Sequence, residues 1–120
     1  MEKEIDIITL CRRLTELTKQ EKCVWKETSE NCRYKLGLKN GTIEIYHFIP
    51  DAYNFMEHEY YEVSLFDRGQ FRYATYKDES STGEKFIIFS TLYNEVCELL
   101  EKKKRRKIAL LFEELEESDN

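Results

Sequence analysis

The spacing of apolar residues along this chain changes period twice. Over residues 3–20, Ile7, Leu10, Leu14 and Leu17 recur at the three- and four-residue intervals of one helical face, and Ile8 and Cys11 widen the stripe. Arg12, Arg13, Glu16 and Lys19 take the other side, so the spacing predicts an amphipathic helix that must cover something. From residue 22 to about 77 the period is two. Cys32, Tyr34, Leu36 and Leu38 alternate with Arg33, Lys35, Gly37 and Lys39, and Asn40-Gly41 follows, a pair that tolerates the positive φ of a tight hairpin turn. With Asn40-Gly41 as a two-residue loop, Leu38 faces Ile43, Leu36 faces Ile45, Tyr34 faces His47 and Cys32 faces Ile49. Upstream, Trp25 pairs back beside Tyr34 and Cys23 beside Leu36.

The alternation resumes at 58–66, with Tyr61, Val63 and Leu65 on one face. Asp67-Arg68-Gly69 reads as a three-residue loop closed by a left-handed glycine, which sets Leu65 against Phe71, Val63 against Tyr73 and Tyr61 against Thr75. The expectation is a five-stranded antiparallel meander with strands near 22–28, 31–39, 42–49, 58–66 and 70–77. The segment 50–57 reads as a loop that carries large apolar side chains.

Beyond it the period returns to that of a helix. Ser81-Thr82-Gly83-Glu84 has the form of a capping box. Phe89, Leu92, Val96 and Leu99 then make one helical face, and no Gly or Pro follows before the last residue. A long helix over 84–116 is expected, with 103–107 as the place for a bend; a short strand at Phe86–Phe89 before a helix capped at Ser90 is the alternative. The fold class is therefore α+β in two layers: an N-terminal helix, a five-stranded antiparallel meander and a long C-terminal helix. The 120 residues fit a single domain, 1–120, large enough to bury a core without a disulfide or metal.

Charge and candidate chemistry narrow the function classes. The net charge of −5 repels phosphate backbones, so a nucleic-acid binder would need a concentrated basic face. Residues 102–107 are six consecutive cations and invite that reading, together with Arg12, Arg13, Arg33 and Lys35. KKKRRK also resembles a monopartite nuclear-import signal. Six consecutive residues point in every direction around a helix, however, so this turn is expected to be wet all round. Five acids follow at Glu113, Glu114, Glu116, Glu117 and Asp119, at the negative end of the helix dipole, where cations are preferred. An antiparallel second copy, crossing near Leu110, would set each basic run along the other's acids. The expected dimer surface is Lys104, Arg105, Ile108, Leu111, Phe112, Leu115 and Glu116.

No nucleotide-binding, nucleophile-elbow or zinc-protease motif occurs, and no cofactor is expected. The four cysteines form no C-x-x-C pair and read as buried free thiols. His47 reads as a hydrogen-bonded core residue, with a ligand-binding or catalytic group around Trp25, Tyr34 and His47 as the alternative. Glu57-His58-Glu59 cannot converge on one ion from a strand. Arg33, Lys35, Tyr46 and Phe48 form a candidate surface patch, with Tyr60, Phe66 and Tyr76 joining them unless a helix covers that face. The charged start of the sequence has no apolar signal core, and no apolar run reaches membrane-spanning length, so a cytoplasmic location is expected. The layout resembles that of small bacterial and phage proteins. A non-enzymatic protein-binding module of the inhibitor, immunity or adaptor type, homodimeric through the C-terminal helix, is the expected function, with nucleic-acid association as the runner-up.

Overall fold

The structure, a computed structural model, describes residues 6–51, 58–79 and 82–118. Helix α1 spans Ile7–Lys19 and is followed by strands β1 (Trp25–Glu27), β2 (Arg33–Leu38), β3 (Gly41–Phe48), β4 (Tyr60–Phe66) and β5 (Arg72–Asp78); helix α2 spans Glu84–Ser118. The strands pair antiparallel in sequence order, a meander. The chain is α+β, with both helices on one face of the sheet. Asp6 starts α1 by accepting the Thr9 amide at 2.8 Å. Ser81 of the capping box lies outside the described residues. Phe86–Phe89 is helical, not a strand, and α2 runs for 35 residues with no interruption at 103–107.

The core is built from the inward face of the sheet and one stripe of each helix. Ile7, Cys11 and Leu14 of α1 meet Phe89, Leu92, Val96 and Leu99 of α2 over Trp25, Leu36, Ile43, Ile45, Tyr61 and Val63. Trp25 Nε1–H donates to the buried Thr18 hydroxyl at 3.0 Å, so the indole nitrogen is satisfied where β1 meets α1. Among the described residues, no buried side-chain nitrogen or oxygen lacks a partner.

The hairpin register differs from expectation by two residues. Leu38 pairs with Gly41, Leu36 with Ile43 and Tyr34 with Ile45, which makes Lys39-Asn40 the two-residue loop. Neither loop residue has positive φ. Gly41 is needed for another reason: a Cβ there would run into the Phe66 carbonyl oxygen of β4. A shift of two leaves every side chain on its expected face, but it carries Leu38 to the open end of the sheet, where it is 55% exposed. The same offset puts Trp25 opposite Leu36 and not Tyr34. Cys32 does not pair with Ile49; it takes a left-handed φ of 63° just before β2, and its carbonyl accepts the His47 amide.

The β4–β5 connection also corrects the sequence reading. Asp67 Oδ1 accepts the amides of Gly69 and Phe71, and Gln70, not Gly69, takes the left-handed conformation. An irregularity at Leu65/Phe66 then sets Leu65 against Ala74 and Val63 against Tyr76. Tyr76 therefore packs against the core instead of joining the outer face. Phe71 and Tyr73, expected inside, are 73% and 67% exposed.

Because Gly41 is fixed by contact with β4, Gly41→Ala is expected to destabilise the protein by about 2 kcal/mol or more. Urea unfolding followed by tryptophan fluorescence measures this.

Candidate interaction surface

Covering the sheet consumes less than half of α2. Its last buried residue is Leu99, and 19 residues of the helix follow it. At 1.5 Å per residue the whole helix is about 52 Å long. The molecule extends 61 × 48 × 27 Å with a radius of gyration of 17.4 Å, against about 14 Å for a compact chain of this length. The surplus is the projecting half of α2.

The basic run marks the point of departure. Residues 102–107 stay mostly exposed, but they are not simply wet all round. Arg106 donates from both terminal nitrogens to the Glu21 carboxylate, at 2.6 and 3.1 Å, and Lys102 Nζ lies 3.9 Å from the same group. On the other side of the helix Lys104 reaches Glu27 of β1 at 2.8 Å. Three of the six cations therefore clasp α2 to the body. Glu21 is itself unusual. The Lys22 amide bonds the Leu17 carbonyl and the Glu21 amide bonds that of Thr18, the pattern of a helix end closed by a left-handed residue. Glycine is the ordinary choice there, yet Glu21 occupies it with φ 58°. The bidentate pair with Arg106 accounts for a carboxylate at that position. Hydrogen bonding to Arg106 holds the Glu21 carboxyl below its ordinary value, and the Glu27 carboxylate raises Lys104.

Past the clasp, Ile108, Leu110, Leu111, Phe112 and Leu115 are each between 61% and 66% exposed. Ile108, Leu111, Phe112 and Leu115 follow the three- and four-residue spacing of a single face. Leu110 lies off it. Arg105 and Glu116 flank the stripe. Of the residues expected to form a dimer surface, Lys104 is drawn into an ion pair with the body.

A second surface is the outer face of the sheet, which neither helix covers. Arg33 there is half-buried among three carboxylates: Glu30 at 2.7 Å, Glu44 at 3.2 Å and Glu62 at 3.8 Å. Burial works against its charge, but the bonds to Glu30 and Glu44 outweigh it and raise its pKa. The guanidinium sits 4.3 Å over the Tyr46 ring, and Phe48 stacks on Tyr60 at 4.8 Å. Lys35 is exposed beside them. Arg33 is thus committed to its own chain. Arg12 pairs with Glu84 and Arg13 with Glu16, so the cations that a phosphate-binding face would recruit lie on separate surfaces and are mostly paired.

The third cluster surrounds His47. Its ring stacks on Tyr61 at 4.2 Å, and Nε2 lies 2.9 Å from Glu59 Oε1. Tyr34 and Tyr93 pack against one another with ring centres 5.7 Å apart, and Tyr93 contacts His47 edge-on. Burial, then the neighbouring Cys97 thiol, pushes the Tyr34 hydroxyl up to about 12, and burial raises Tyr93 as well. Both are neutral hydrogen-bonding groups at physiological pH. Trp25 is not part of this cluster; it packs at the other end of the sheet against α1. Cys11 and Cys23 are buried, whereas Cys32 and Cys97 are only half-buried, less enclosed than the sequence suggested; all four are free thiols. His58 is exposed, and its neighbour Glu57 lies outside the described residues. Among the described residues, no three metal-ligating side chains converge, and no helix is long and apolar enough to cross a membrane.

No family model, curated protein or solved structure matches this chain.

Glu21 has a depressed carboxyl pKa, so the clasp is strongest above the ordinary glutamate range and weakens as pH falls through the folded value. NMR titration of the side-chain carboxyl is expected to place Glu21 below 4.5. Arg106→Gln is expected to move it back up; an unchanged midpoint would show that Arg106 does not hold it.

Proposed function

We propose that the chain is a non-enzymatic protein-interaction module, of the inhibitor, immunity or adaptor type met in bacteria and phages, and that it acts as a homodimer joined through the projecting half of α2. One observation carries this reading. A helix that has already finished covering the sheet continues outward with Ile108, Leu111, Phe112 and Leu115 on one face and nothing among the described residues over them. Contiguous exposed apolar surface of this kind marks a contact site on a folded protein. The clasp at Glu21 and Glu27 supports the same reading, because it fixes the direction in which the helix leaves the body.

The open sheet face belongs to the same reading as a place for a different protein. Tyr46, Phe48 and Tyr60 supply aromatic area, and Arg33 is held rigid by its glutamates. Nucleic-acid association is the weaker alternative. It would have to rely on Lys103, Arg105 and Lys107 of the basic run, since Lys102, Lys104 and Arg106 face carboxylates of the body.

Size-exclusion chromatography with light scattering tests the proposal. The wild-type chain is expected at twice the chain mass, and Leu111→Glu, which buries a charge in the contact, at the mass of one chain. A wild-type monomer at every concentration, or a dimer that Leu111→Glu leaves intact, removes this reading.

A further inference from the structure

The charges beside the apolar stripe specify how a second copy can lie against it. Successive residues of a helix turn by about 100°, which places Ile108, Leu111, Phe112 and Leu115 in one direction, about 110° around α2 from the buried stripe of Phe89, Leu92, Tyr93, Val96 and Leu99. The contact face therefore points to the side of the body, not back into its own sheet. On one flank of the stripe, about 70–90° from its centre, stand Arg105 and Glu116. On the opposite flank, about 90–110° away, stand Lys107 and Glu114. Each flank thus carries one cation toward its N-terminal end and one acid toward its C-terminal end.

A twofold axis perpendicular to two helices brings the same flank of each together, running in opposite directions. Arg105 of one copy then comes level with Glu116 of the other, and Lys107 with Glu114, and both pairs share a single midpoint between residues 110 and 111. The apolar residues agree with it to within one position, with Ile108 across from Leu115 and Leu111 across from Phe112. A twofold axis along the helices brings opposite flanks together at equal height. Arg105 would then face Lys107 and Glu114 would face Glu116, cation on cation and acid on acid. We infer that the occupant of this face is a second copy of the chain in antiparallel orientation, crossing between residues 110 and 111, with Lys107–Glu114 and Arg105–Glu116 contacts between copies. This rests on the homodimer proposed above.

The surroundings of Lys107 fit that arrangement. Val24, Trp25, Lys26, Glu27, Leu100, Lys103, Lys104 and Lys107 bound a groove of about 370 Å³ where α2 leaves the body beside the edge strand β1. Four of these residues are lysines, and Glu27 balances only Lys104. In the antiparallel register the acidic end of the second α2, ending at Ser118, comes back toward this groove. The acids that sit unfavourably at the C-terminus of their own helix dipole then lie beside cations supplied in trans.

Charge reversal on the full chain, followed by sedimentation equilibrium at low ionic strength, tests the orientation. Lys107→Glu and Glu114→Lys should each weaken the dimer roughly five- to thirtyfold, since every substitution is present twice and turns attraction into repulsion. The double variant K107E/E114K should return to within about twofold of the wild type, because the pairs re-form with opposite polarity. Circular dichroism confirms that each variant keeps its helix. Single variants that bind as tightly as the wild type, or more tightly as a parallel pair requires, overturn this inference while leaving the dimer standing. A wild-type monomer overturns the dimer itself.

Discussion

The need to dry one face of a five-stranded sheet arranges everything else in this protein. Strands β1 to β5 each present alternate residues to one side, and that side is too apolar to face water: Trp25, Leu36, Ile43, Ile45, Tyr61 and Val63 are all buried on it. Helix α1, of 13 residues, lies over part of this face. It covers β1 and its neighbours, with Thr18 meeting the Trp25 indole, and the first part of α2 covers the rest. The helices must also pack on one another, which they do through Cys11 and Leu14 against Leu92, Val96 and Leu99. The outer face is left open. Its middle strands carry charge in place of an apolar core: glutamates at 44 and 62 hold Arg33 among the aromatic rings.

The remainder of α2 follows from the same constraint. Once Leu99 has closed the core, further helix has no sheet to cover. A helix end that merely frayed would gain nothing from five large apolar residues, whose exposure is unfavourable, or from cations that fasten it to the body. Glu21 makes the point most clearly. Its left-handed backbone costs energy that a glycine would not, and the return is a carboxylate positioned for Arg106. A chain that holds this direction by ion pairs at Glu21 and Glu27 presents its apolar stripe at a defined angle, which is the property a contact surface needs.

Much of the fold was legible from period alone. The change from helical spacing to alternation and back located every element to within a few residues, because the sheet has one dry face and each strand reports it. The registers were less legible. Asn40-Gly41 signals a tight turn, but the glycine serves the approach of Phe66 in β4, 25 residues downstream, and no local rule anticipates that. Asp67 captures two amides of its loop, so the left-handed position falls on Gln70 and turns Phe71 and Tyr73 outward. The candidate surface was half legible. The apolar stripe on 108–115 could be read directly, but the partners of the basic run could not, since Glu21 and Glu27 lie some 80 residues away.

The sequence by itself determined the element types, the order of the layers and the self-complementary charges flanking residues 108–115. These are properties of neighbours in the chain, where helical or strand geometry alone sets what shares a face. Tertiary structure decided which turn residues carry strain, which of the six cations are consumed by the body, and the direction in which α2 leaves it. Each of those depends on groups brought together from distant segments, so the energy that chooses among local alternatives does not exist until the sheet and helices have packed.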